Sequence, residues 1–88
     1  MRLRDSLATI IGVEIRRLRN EKGISLKEFE SLDGSIDRHS LSRIESAEKL
    51  PTIETLFKIC KLLDTDLGDF FTRVEKAIKK ANQSDFDF

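Results

Sequence analysis

An all-α fold, a compact bundle of five helices, is the class this sequence predicts. Three observations carry the prediction. Apolar residues recur at helical spacing in one stretch after another, and no alternating run of strand type occurs. Leu, Ile, Lys, Glu and Arg dominate a chain with one Pro, no Trp and no Tyr, a composition that favours helices. The breaks between the stretches carry cap and turn residues: Gly23, Ser25, Asp33-Gly34-Ser35, Asp37, Pro51-Thr52 and Asp66. At 88 residues the chain is long enough for one domain and one modest core.

Leu3, Leu7, Ile10, Ile11, Ile15 and Leu18 predict a first helix from about Ser6 to Glu21, ended by Lys22-Gly23. Arg16, Arg17 and Arg19 fall mostly off that stripe. Ser25-Leu26-Lys27-Glu28 reads as a capping box, with Ile24 placed to staple onto Phe29. The second helix is short and ends near Leu32, where Asp33-Gly34-Ser35 is turn chemistry. Asp37 caps a third helix, Arg38 to about Ser46. Ile36, Leu41 and Ile44 form its inward side, which leaves Arg38, His39, Ser42 and Arg43 pointing elsewhere.

Thr52 caps a fourth helix whose broad apolar face is Ile53, Leu56, Phe57, Ile59, Cys60 and Leu63. Asp66 caps a fifth, with Leu67, Phe70, Phe71, Val74 and Ile78 as its stripe. That stripe is longer than a small domain needs, so Phe71, Val74 and Ile78 are expected at a dimer interface. The domain is expected to span 1–81, with an extended fifth helix. The tail from 82 to 88 has no period, and its Phe86 and Phe88 offer a docking segment for a protein partner.

Composition excludes several functions. The lone Cys60 permits no internal disulfide, which fits a reducing, cytoplasmic location, and it reads as a small core residue. No apolar run approaches membrane length, and Met1-Arg2-Leu3-Arg4-Asp5 is too charged for a secretory signal. Arg2 and Arg4 read as a soluble end, with a DNA-contacting arm as the sharper alternative. No metal motif, cofactor loop or nucleophile–base spacing is present, so neither an enzyme nor a cofactor is expected. The formal net charge is zero, unlike the usual basic DNA-binding domain, yet phosphate binding needs only a local positive face.

Two short helices joined by a tight Gly-containing turn make a helix-turn-helix layout. The residues along it are similar to a known family. Ile11-Gly12-x-x-Ile15-Arg16-x-Leu18-Arg19-x-x-x-Gly23-Ile24-Ser25 resembles the opening of the phage-repressor-like helix-turn-helix family, the Cro/C1 or XRE type. Ile36-Asp37-Arg38-x-x-Leu41-Ser42-Arg43-Ile44-Glu45 resembles its recognition helix. Pro51-Thr52-Ile53-x-Thr55-Leu56-x-Lys58-Ile59-Cys60-x-Leu62-Leu63 and Asp66-Leu67-x-x-Phe70-Phe71 resemble its fourth and fifth helices.

The resemblance implies a lambda-repressor-like domain that binds double-stranded operator DNA as a homodimer and regulates transcription. It implies base contacts from Arg38, His39, Ser42 and Arg43, and phosphate-side positions for Ser25, Lys27 and Ser40. Arg suits guanine, whose O6 and N7 accept two bonds from one guanidinium. The resemblance also implies a buried bridge between Arg19 and Glu45. The chain departs from the family at four places. Leu26 stands where Gln is usual, and Glu30 where a small Ala is. The turn is one residue longer, and Ser46-Ala47 replaces Arg/Asn-Gly. These departures, with the neutral charge, motivate a second reading: a protein–protein adaptor with little specific DNA binding.

Overall fold

The computed structural model describes residues 2–81, and among them five helices and no strand occur. The helices are α1 (Leu3–Glu21), α2 (Leu26–Leu32), α3 (Arg38–Glu45), α4 (Ile53–Leu62) and α5 (Leu67–Ala81). The segment 82–88, with Phe86 and Phe88, lies outside the described residues.

Caps set most of the boundaries. Ser25 and Glu28 close the capping box, with Ser25 Oγ accepting from Glu28 N and Glu28 Oε1 accepting from Ser25 N, both at 3.1 Å. Asp37 Oδ1 accepts from Ser40 N at 2.6 Å, and Thr52 Oγ1 from Thr55 N at 3.1 Å. α1 begins at Leu3, three residues before the expected Ser6, so Arg4 belongs to the helix and not to a loose end. Its first turn has no side-chain cap to announce it. Packing holds it instead: Leu7 lies partly buried against the core, and Ser6 and Ala8 are buried.

The core is one cluster drawn from every helix. Ile11, Ile15 and Leu18 of α1 meet Phe29 of α2, Leu41 and Ile44 of α3, Leu56, Ile59 and Cys60 of α4, and Phe70, Val74 and Ile78 of α5. Ile36 and Leu63 join from the connecting turns. α1 is central, packing on both α3 and α5. Burial pushes the Cys60 thiol up to about 11, as expected of a sulfur kept neutral in apolar surroundings.

The burial of α4 and α5 departs from the sequence expectation in two respects. Ile53 and Phe57 do not belong to the buried face of α4: they are 64% and 58% exposed, while Leu56, Ile59, Cys60 and Leu63 face inward. Val74 and Ile78 are not surplus apolar surface, being 2% and 3% exposed. The packing of α1 along α5 accounts for this, with Ile11 and Ile15 in the same core cluster. Leu3 and Leu7 run alongside α5 and share a cleft with Phe71, Val74 and Ile78. Phe71, half-buried, is the member of the expected interface set that reaches the surface.

Candidate nucleic-acid interface

α3 has one side in the core and the other in solvent. Leu41 and Ile44 are buried; Arg38, His39 and Arg43 are exposed, and Ser40 and Ser42 are half-buried. Eight residues leave little room for self-support, so its presentation depends on what grips it.

The first grip is Gly12 of α1. A Cβ built there would stand 2.6 Å from the Ile44 carbonyl oxygen and 2.7 Å from that of Glu45. Only a missing side chain lets the end of α3 come this close to α1. The second grip is Glu45, whose side chain is 1% exposed. Arg19 Nε donates to its Oε2 at 2.7 Å and Arg19 Nη2 to its Oε1 at 2.9 Å. Arg19 Nη1 donates to the Ile24 carbonyl at 2.7 Å, tying the same guanidinium to the start of the motif. The bond to Glu45 holds the Arg19 guanidinium more firmly protonated still. Arg16, which periodicity placed off the stripe, donates from Nε to Glu45 Oε1 at 3.2 Å. Gly12, Arg16 and Arg19 are four and three residues apart, so one face of α1 carries all these contacts to the end of α3.

The third grip comes from α2. Glu30 Oε2 accepts from the backbone N of Arg38 at 3.0 Å, and Oε1 stands 3.4 Å from Arg38 Nε. A residue where the family has Ala thus reaches across to the first turn of α3. The longer turn between them is closed by Asp33, whose Oδ1 accepts from Ser35 N at 2.9 Å and from Ser35 Oγ at 2.6 Å. Those bonds, the hydroxyl's first, hold the Asp33 carboxyl below the usual range. Lys58 Nζ reaches Ser35 Oγ at 3.4 Å and fastens the turn to α4.

The remaining site candidates sit at helix starts. Ser25 and Lys27 are exposed at the N-terminal end of α2. The Asp37 carboxyl is held low mainly by the Ser40 backbone N–H, so its charge is directed at the helix it caps. Lys49, which sequence reasoning missed, is exposed and adds an attractive charge to Asp37. It borders the same cleft as Ser40. Nothing in the local pattern marks it, because a lone Lys in a connection reads as ordinary surface. Leu26 is partly buried against the core and serves packing there.

The comparison with known families now decides the class. The Helix-turn-helix family model of the Cro/C1 (XRE) type matches residues 15–70, well over half of the chain. The chain belongs to this helix-turn-helix family. No curated protein and no solved structure gives a significant match. As a Cro/C1-type domain it falls in a family of DNA-binding transcription regulators. The match takes in Arg19 and Glu45, both helices of the motif and α4, and it stops at Phe70. Gly12 and the first turns of α1 lie before it, and most of α5 lies after it. Among the described residues no helix is long and apolar enough to cross a membrane.

Proposed function

We propose that this chain is a sequence-specific transcriptional regulator that reads operator DNA in the major groove. It acts as a homodimer, one α3 per half-site. The observation that carries the reading is the two-sidedness of α3 within a Cro/C1-type motif. Leu41 and Ile44 are sunk in the core, and Arg38, His39 and Arg43 stand in solvent. The Arg43 guanidinium has no ion pair among the described residues, and neither has the Lys27 ammonium, so both are available to DNA. Ser42 lies between Arg38 and Arg43 on the same helix, and Ser25 and Ser40 offer hydroxyls beside phosphate. In this reading the chain is bacterial or phage-encoded and acts on DNA in the cytoplasm.

Selection from random DNA is expected to enrich a palindrome. Arg38→Ala and Arg43→Ala are each expected to abolish enrichment while leaving helical content intact by circular dichroism. Wild-type affinity in both variants at physiological salt overturns the reading.

Exposed Ile53 and Phe57, one turn apart on α4, favour a second reading as a protein–protein adaptor. It predicts DNA association that is weak and insensitive to salt, where the first predicts a steep salt dependence.

A further inference from the structure

We propose that Glu30 is a specificity-determining positioning residue: from α2 it holds the Arg38 guanidinium, so that discrimination at one base position of each half-site depends on a side chain that is itself no base reader. The inference rests on the DNA-reading role of α3.

Glu30 makes two different contacts with one residue. Its Oε2 accepts the Arg38 backbone N–H at 3.0 Å, which fixes the first turn of α3. Its Oε1 stands 3.4 Å from Arg38 Nε, which fixes the side chain. Pairing at Nε leaves the two terminal nitrogens of the fork, and no other ion pair or side-chain hydrogen bond of this guanidinium occurs among the described residues. Those two nitrogens are the pair that guanine O6 and N7 accept from. The carboxylate therefore selects a rotamer in which the reading edge stays open. Its side chain is 31% exposed and that of Arg38 is 56% exposed, so the pair lies at the rim of the solvent face. A carboxylate there also repels phosphate whatever the sequence, and only a matching base offsets that repulsion through the ordered arginine. It weakens binding to random sequence while it orders the arginine for the right one.

Glu30→Gln separates positioning from mere support. The amide oxygen still accepts the Arg38 N–H, but the charge that holds Nε is gone. The experiment is selection from random DNA, followed by affinity for the enriched site and for single-base variants. Wild type, Glu30→Gln, Arg38→Ala and the double variant are compared, each with a thermal melt. The expected result is that Glu30→Gln melts like wild type. It loses about tenfold discrimination at the position that Arg38→Ala also loses. Its affinity for random sequence rises. In the Arg38→Ala background it changes discrimination no further. A purely supporting role would lower specific and random-sequence binding together. Full wild-type discrimination in Glu30→Gln overturns the inference while the DNA reading stands, and so does a uniform loss across all positions. A wild type that enriches no sequence overturns the DNA reading and this inference with it.

Discussion

Among the described residues, left-handed backbone falls at three helix ends, and one of the three carries glycine. Gly23 at φ 67°, Ala47 at φ 67° and Asp64 at φ 54° each follow a C-cap, after α1, α3 and α4. The bonding repeats. Ile24 N donates to Arg19 O at 3.1 Å, Glu48 N to Arg43 O at 2.9 Å, and Thr65 N to Cys60 O at 2.9 Å. Each is the long bond of a Schellman cap, and Gly23, Ala47 and Asp64 make the shorter one beside it. A Cβ in this conformation is strained. Ala47→Gly is therefore expected to stabilise the fold by about 0.5–1 kcal/mol. That corresponds to a rise of roughly 2–8 °C in melting temperature. A lower melting temperature in the Ala47→Gly variant would mean that Ala47 is held by contacts that outweigh its backbone cost. Gly23 is legible in the sequence because glycine after a periodic stretch marks a C-cap. Ala47 is not, since alanine carries no turn signature and the cap is imposed by the packing of α3. The purpose of Gly12 is equally hidden: within a helix a glycine reads only as a weak helix former, and its reason lies on another helix 32 residues away at Ile44.

Helices α2, α3 and α4 begin where their caps say, because a side chain that accepts a backbone N–H is a local fact. The start of α1 and the inward face of α4 escape a local reading, because both depend on neighbours. Periodicity gives α4 six apolar positions, and the bundle covers four of them. What joins α1 to α3 is the Glu45 cluster, whose partners differ sharply in exposure: Arg19 at 11% and Arg16 at 53%. Exposure decides their worth. Arg19→Ala leaves a buried carboxylate short of its main partner and is expected to cost about 3–5 kcal/mol in urea unfolding. Arg16→Ala removes a solvated contact and is expected to cost less than about 1 kcal/mol. Arg19→Met combined with Glu45→Leu is expected to recover most of the loss, because no charge is then left buried. Equal losses from Arg16→Ala and Arg19→Ala would show that the two arginines share the burden.

A chain of zero net charge can still present a basic face, provided its acids are committed elsewhere. Around the motif two acids are paired with arginine, Glu30 with Arg38 and Glu45 with Arg16 and Arg19, while Glu28, Asp33 and Asp37 keep their charge and turn it toward the N–H and O–H groups of Ser25, Ser35 and Ser40. Composition cannot reveal this, because it counts charges without saying which are already answered. Burial likewise redistributes the apolar surface on which a homodimer depends. With Val74 and Ile78 in the core, the open apolar surface along α5 is the cleft edged by Leu3, Leu7 and Phe71. Phe71 is half-buried there, with one side against the core and edge-on to Phe70 and the other at the surface. The proposed dimer then makes a definite demand. Phe71→Glu is expected to sediment as a monomer while still melting cooperatively. Its affinity for a palindromic site is expected to fall by about a hundredfold or more, since the second half-site no longer binds at high effective concentration. Its affinity for a single half-site should stay near wild type, because α3 is untouched. Dimer mass retained by Phe71→Glu, and lost instead on replacing Ile53 or Phe57, would move the interface to α4.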